Sequence, residues 1–154
     1  MIEIVQATTP SHIQSIGALF REYEAFLQVD LCFQRFEEEL ASLPGKYAPP
    51  QGALLLALAD GQTAGCVAMR PLNGSMCEMK RLFVQPAYLG RGIGKKLALA
   101  VMEHARAAGY ARMRLDTLEK LGPALSLYAA LGFQPCPPYY DNPLPGVVYL
   151  ERVL

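Results

Sequence analysis

Histidine is scarce in this chain and cysteine is scattered. There are two histidines and four cysteines, and Cys32, Cys66, Cys77 and Cys136 form no Cys-x-x-Cys pair. That pattern argues against a zinc site and against a disulfide framework, and leaves reduced, mostly buried thiols with no metal. No apolar run approaches the roughly 20 residues of a membrane-spanning helix; the longest is Ala53 to Ala59. The opening Met-Ile-Glu-Ile-Val-Gln lacks the basic start and apolar core of a signal peptide, so a cytoplasmic protein with no membrane partner is expected. Repeats, low-complexity tracts and linkers are missing too, which leaves one domain over residues 1–154. Net charge is zero, from 14 Lys+Arg and 14 Asp+Glu, and speaks against a nucleic-acid partner.

What is present is apolar material and a charge gradient. At 52% hydrophobic and 18% charged, the chain of 154 residues can bury a core. Residues 1–77 carry four Lys/Arg against eight Asp/Glu, and residues 78–154 carry ten against six, a balance of −4 followed by +4. An anion site in the second half is the natural reading.

Hydrophobic periodicity orders the elements. Ile2, Ile4 and Ala7 begin a short strand, and Pro10, with Thr9 or Ser11 as cap, opens a helix over 11–28. Phe33, Phe36, Leu40 and Leu43 make a shorter helix that ends before Pro44-Gly45. An antiparallel meander follows: Ala53–Ala59, apolar throughout as in a strand buried on both faces, then Thr63–Met69 and Met76–Val84. A helix over Lys95–Ala108 is capped by Gly109, and after it come a strand at 111–116, a helix at 123–131, and strands at 133–136 and 147–153. The fold class is α+β: a mixed sheet of about seven strands, antiparallel in its N-terminal part, flanked by about four helices. The strands at 76–84 and 111–116 are parallel across a helical crossover.

The chemistry-bearing segment is Gly90-Arg91-Gly92-Ile93-Gly94 between a strand and a helix. A helix N-terminus offers unpaired amides and partial positive charge, and glycines let an anion approach them. Arg91, Lys95 and Lys96 add cations, so a phosphate ester or pyrophosphate is expected. A Walker loop needs glycine where Leu89 stands and Ser/Thr where Lys96 stands. A dinucleotide fingerprint needs G-x-G-x-x-G early in a βαβ unit. Neither fits, and a plain tight turn is the remaining alternative.

The wider segment Leu82-x-Val84-x-Pro86-x-Tyr88-x-Gly90-x-Gly92-Ile93-Gly94, followed by Leu127-Tyr128-Ala129-Ala130-Leu131-Gly132-Phe133, resembles the GNAT superfamily of N-acetyltransferases in both of its separated signatures. The element order matches that fold as well. Two positions depart from the family pattern: Leu89 precedes the first glycine where Arg or Gln is usual, and Leu121 stands where Asn is frequent. Phosphate binding then leans on the backbone from Gly90 to Lys95 and on Arg91, Lys95 and Lys96.

The resemblance implies acetyl-CoA as co-substrate. Leu82, Phe83 and Val84 would present backbone groups to its pantetheine arm, and Leu89, Gly90, Arg91, Gly92, Ile93, Gly94, Lys95, Leu121 and Tyr128 would complete the site. It also implies Tyr128 as the acid that protonates the departing thiolate, the plainer reading being a packed helix aromatic. Glu78 is the base candidate, on the expectation that residues 78, 80 and 82 share a strand face; otherwise it is a strand carboxylate paired with Lys80 or Arg112. Asp116 is its rival, or else a cap for the following helix. His12 and His104 lack a nucleophile partner and are read as non-catalytic. The acceptor, a small-molecule or peptide amine, would enter between the first two helices and the loop before the last strand. Glu22, Glu24, Asp30 and Glu37-Glu38-Glu39 make that side acidic, as a cationic amine or merely a solvated face would have it, and Tyr139, Tyr140, Asp141 and Asn142 could line the other side. A homodimer is compatible with the resemblance. The expected activity is acetyl transfer from acetyl-CoA to a primary amine; the alternatives are a non-catalytic acyl-CoA-binding or regulatory module, or a transferase for a longer acyl group.

Overall fold

The computed structural model describes residues 1–154. A seven-stranded sheet in the order β1-β2-β3-β4-β5-β7-β6 is built from β1 (Ile2–Gln6), β2 (Ala53–Ala59), β3 (Gln62–Asn73), β4 (Met76–Val84), β5 (Arg112–Leu118), β6 (Gln134–Pro135) and β7 (Val147–Val153). Four helices cover it: α1 (Pro10–Leu27), α2 (Phe36–Ala41), α3 (Ile93–Ala107) and α4 (Gly122–Ala130). Only β4 and β5 pair in parallel; the other neighbours are antiparallel. The α+β mixed sheet expected from the sequence is therefore the fold. No helix is long and apolar enough to cross a membrane.

Local signals explain most boundaries. Thr9 caps α1 by accepting from the His12 amide at 3.1 Å. Gly109, at φ +91, follows the end of α3. Differences arise where tertiary pairing extends or trims an element. Strand β3 runs to Asn73 because β4 pairs with it along that length. Helix α2 is cut to six residues by a 3₁₀ turn at Cys32–Gln34. Cys66 and Cys77 are buried free thiols, whereas Cys32 is exposed and Cys136 half-buried. Burial is thus less general among the cysteines than expected.

The continuous apolar run of β2 reflects burial on both sides of the sheet. Leu55 and Ala57 join Val67, Met69, Leu97, Val101 and Met113 beneath α3, while Leu54 and Leu56 join Ile16, Leu19, Phe20 and Phe36 beneath α1 and α2. Each face encloses a core, so α1 and α3 sandwich the sheet.

The edge of β4 carries the one large irregularity. Cys66 opposes Phe83 and Ala68 opposes Lys80, so Arg81 and Leu82 together face the single residue Val67. Arg81 adopts φ +60, a left-handed conformation that costs a non-glycine residue roughly 1–2 kcal/mol. Two contacts hold this bulge. The Arg81 guanidinium donates to both carboxylate oxygens of Glu39, at 3.0 and 3.1 Å, and lies 5.3 Å from the Phe36 ring centroid. Gly65 on β3 lets the chains close: a Cβ there would lie 2.6 Å from the Phe83 carbonyl oxygen. The bulge also changes the strand's parity. Lys80 and Arg81 both fall on the α1–α2 face, while Leu82 and Val84 pack with the α3 core. The expectation that residues 78, 80 and 82 share a face is corrected here, because the extra residue turns Leu82 to the other side.

The Glu39–Arg81 pair is nearly sealed, with side chains 4% and 3% exposed. Burial works to raise the Glu39 carboxyl, but Arg81 and Lys46 overcome it and hold the group below its ordinary value. A carboxyl depressed in the folded state adds stability above its unfolded pKa and loses it as pH falls through the folded one. Glu39→Gln, which leaves Arg81 buried without its anion, is expected to lower stability by about 3–5 kcal/mol at neutral pH. Urea unfolding should show that gap narrowing below roughly pH 4.5.

Candidate active site

Strands β4 and β5 are hydrogen-bonded neighbours only at their start. Met76, Cys77 and Glu78 pair with Arg112, Met113 and Arg114, and beyond Glu78 the strands part while β5 stays paired with β7 along its whole length. The gap opens where the bulge bends β4. Gln85 donates its amide to Ala64 on β3 at 2.8 Å. Alternation along the strand then turns the main-chain groups of Leu82 and Val84 toward the gap and those of Phe83 toward β3. Phe83 contributes its ring instead, 6.1 Å from Tyr23 and 5.8 Å from Phe26.

Helix α3 begins at one mouth of the gap. Gly90 and Gly92 take φ +82 and +74, and a Cβ at either would meet nothing within 4 Å, so the loop presents bare backbone to solvent. Gly92 is the N-cap, with no side-chain capping bond, and the first helical bond of the Gly92 carbonyl comes from Lys96 at 3.1 Å. The amides of Ile93, Gly94 and Lys95 are the helix's unpaired donors, at the positive end of its dipole. Arg91 and Lys95 are exposed beside them, with Arg91 lying over the Tyr88 ring at 5.4 Å.

From this mouth a cleft of about 350 Å³ passes through the gap to the α1 face of the sheet. Val84, Leu89, Gly90, Gly92, Ile93 and Gly94 line its entrance, and Leu82, Leu121, Leu127 and Tyr128 its waist. Tyr128 is 7% exposed and packs edge-on against Phe133 at 5.7 Å. Burial pushes its phenol well above the ordinary value, so the hydroxyl stays a proton donor.

The far end of the cleft is polar. Lys80, Gln34, Asp116 and Asn142 border it. The Lys80 ammonium donates to Gln34 Oε1 at 3.2 Å, and Gln34 Nε2 donates to the Tyr140 hydroxyl at 3.0 Å. Tyr140 in turn donates to Asp116 Oδ2, which also accepts from Asn142 Nδ2 at 2.7 Å. Burial lowers the Lys80 ammonium to about 8, against the opposing pull of Glu78. Behind this wall lies Glu78, fully buried, with Arg70 Nε at 2.8 Å on Oε1, the Tyr139 hydroxyl at 2.6 Å on Oε2, and Lys80 Nζ at 4.0 Å. Tyr139, Tyr140 and Tyr149 pack together with centroids 5.4–6.0 Å apart and hold the loop before β7 over the site.

Several residues singled out in the sequence fall elsewhere. Glu78 does not border the cleft; it pairs with Arg70 and, at 4.0 Å, with Lys80 as expected, but not with Arg112, which binds Glu151. Asp116 is not a helix cap; α4 starts at Gly122, with Leu121 as its N-cap and no capping side chain. The carboxylates expected to greet a cationic acceptor already have partners within the chain: Glu22 accepts from Gln85, Glu24 from the Leu31 amide, Asp30 from the Cys32 amide, and Glu37, Glu38 and Glu39 pair with Arg21, Arg35 and Arg81. His12 and His104 lie off the cleft wall. Sequence reasoning missed Gln34 and gave Lys80 only a passing role as a partner for Glu78. Nothing in the local pattern marks either, because the bulge and the α1–α2 connection bring them together.

The sequence profile of the acetyltransferase (GNAT) family matches residues 15–133. An uncharacterized N-acetyltransferase of Schizosaccharomyces pombe is 41% identical over 152 residues, spanning 97% of this chain and 93% of that protein. Among solved structures, an acetyltransferase from Streptococcus agalactiae superposes with a TM-score of 0.81 at 23% identity, covering 99% of this chain and 98% of that one. The PaiA N-acetyltransferase from Thermoplasma acidophilum, in complex with coenzyme A, superposes at 0.75 and 19% identity over 100% and 99% of the two chains. At those identities the two structures speak to the fold alone.

The Lys80 environment is testable without a ligand. With its amines dimethylated with ¹³C, the protein should show by NMR one lysine ammonium, absent from Lys80→Met, titrating at about 8. Glu78→Gln removes the anion that favours the charged form and should move that titration lower still. A Lys80 signal unmoved by Glu78→Gln would mean the carboxylate is not its counter-charge.

Proposed function

The chain belongs to the acetyltransferase (GNAT) family and is an N-acetyltransferase; we propose that it carries the acetyl group of acetyl-CoA directly to a primary amine bound at the Lys80–Asp116 end of the cleft. The observation that carries this reading is the β4–β5 gap joined at one mouth to the uncapped start of α3. An uncapped helix start suits a pyrophosphate, the free edge of β4 suits a pantetheine arm that pairs as an added strand, and one cleft connects both to a polar chamber. Coenzyme A, with its diphosphate, amide-bearing arm and thiol, has those features in that order.

In this reading the amides of Ile93, Gly94 and Lys95 take the diphosphate, with Arg91 and Lys95 as outer cations. An amide of β4 facing the gap, from Leu82 or Val84, donates to the thioester oxygen as negative charge develops there. The amine nitrogen attacks the thioester carbon, the C–N bond forms and the C–S bond breaks. The proton lost by the nitrogen passes to Asp116, and the sulfur takes one from the Tyr128 hydroxyl. Two observations support Asp116 over Glu78 as base: Asp116 borders the cleft, and both of its hydrogen bonds fall on Oδ2, leaving Oδ1 unengaged. Glu78 then acts as a positioning residue through Lys80 and Tyr139. Burial keeps the phenol of Tyr128 in its protonated form, so that it carries a hydrogen to offer the departing sulfur.

Thiol release from acetyl-CoA in the presence of a panel of primary amines tests the reading. Turnover with one or more amines is expected, and Tyr128→Phe should lower kcat about 10²-fold or more with acetyl-CoA affinity kept. Asp116→Asn should lose activity mainly near neutral pH and recover as pH rises and the free amine becomes abundant. Tight acetyl-CoA binding with no turnover on any amine would instead favour a binding module. For the helix mouth, Gly92→Val places a branched side chain at φ +74 in the anion's approach. The variant should lose the thermal stabilisation that acetyl-CoA gives the wild type.

A further inference from the structure

Two charges of opposite sign border the far chamber with bonding capacity to spare. Lys80 Nζ has three N–H donors and makes one hydrogen bond, to Gln34 Oε1 at 3.2 Å, with the Glu78 carboxylate more distant at 4.0 Å. Its side chain is 6% exposed and borders the cavity, so an unused donor there is largely withheld from bulk water. Asp116 is bonded through Oδ2 alone, by Tyr140 and Asn142, and its Oδ1 has no partner. The third charged group on the wall, Arg81, is unavailable because Glu39 engages its guanidinium at two points. Lys80 on β4 and Asp116 on β5 stand on the same α1–α2 face, on opposite sides of the gap. The remaining wall of this end is apolar, formed by Tyr23, Phe26, Leu31, Leu118 and Leu144.

From this we infer that the acceptor is an amino carboxylate with an apolar side chain, its amine held by Asp116 Oδ1 and its carboxylate by Lys80 Nζ. The inference rests on the acetyl-transfer reading above and narrows its acceptor. A simple alkylamine satisfies Asp116 but leaves the Lys80 ammonium buried and underused. A peptide N-terminus has an amide where the carboxylate belongs. A free amino acid answers both charges and places its side chain against the apolar wall. A charge-assisted hydrogen bond made in a water-poor site discriminates strongly against an analogue that lacks the partner group.

The experiment measures acetyl-CoA thiol release with three acceptor sets: leucine, phenylalanine and alanine; their amides; and the corresponding decarboxylated amines. Wild-type enzyme is expected to favour at least one amino acid over its amide and its amine by about tenfold or more in kcat/KM. The amide control is stringent, since its less basic nitrogen is the better supplied with free amine at neutral pH. Lys80→Met should raise KM for that amino acid and bring the discrimination to within about threefold, while Lys80→Arg, which keeps the charge, should retain a preference. A CoA-induced thermal shift establishes that each variant is folded. Equal or faster release with amides or amines, or an undiminished preference in Lys80→Met, would overturn the inference and leave the acetyl-transfer reading standing. Absence of thiol release with every member of the three sets, and with a wider amine panel, would overturn both.

Discussion

The buried pair of Glu39 with Arg81 is the constraint from which the working geometry descends. Arginine at φ +60 in the middle of a strand is unfavourable by itself. It persists because a two-point carboxylate contact from α2 and the Phe36 ring leave the side chain no better place. One extra residue in β4 has three results. The strand bends from β5, so a gap replaces a ladder. The parity of the strand shifts, so Leu82 joins the α3 core while Lys80 remains on the other face. And the backbone beyond the bulge turns alternate peptide groups into the gap, where a ligand can meet them.

The two ends of the cleft use different electrostatics. At the α3 mouth the positive charge is mostly main-chain, spread over unpaired amides of Ile93, Gly94 and Lys95 and undiminished by any titration. It therefore needs no precise side-chain placement. At the far end the charges are side-chain groups whose character depends on burial. Lys80 loses part of its hold on its proton, balanced by Glu78 behind it. The three tyrosines over the site, Tyr139, Tyr140 and Tyr149, supply hydroxyl groups that orient Glu78, Asp116 and the loop backbone.

The negative charge of the N-terminal half illustrates how composition misleads when partners are unseen. Eight acidic residues against four basic ones in residues 1–77 look like a surface awaiting a cation. In the folded chain the carboxylates of α1, α2 and the segment between them are engaged by arginines, a glutamine and backbone amides. The one carboxylate that borders the cleft is Asp116, which comes from the more basic half. A net charge says how many groups exist, not how many are still available.

Much of the protein was legible in the bare chain, and for a consistent reason. The burial of β2 on both faces, the cap at Thr9, the amphipathic stripe Ile93-Leu97-Val101-Ala105 and the glycine-opened mouth of α3 all arise between residues a few places apart. The nature of the fold and the place of Tyr128 followed from two motifs that are themselves local. What stayed hidden was long-range: Glu39 finds Arg81 42 positions away, Lys80 meets Gln34 at a separation of 46, and Glu78 receives Tyr139 at 61. Strand alternation extrapolated through residues 78, 80 and 82 failed because a bulge, stabilised from another element, inserts one residue into the count. Local chemistry is written in neighbouring letters, whereas which face a side chain occupies past a bulge, and which charge is left free, depend on contacts that exist only after the chain has closed on itself.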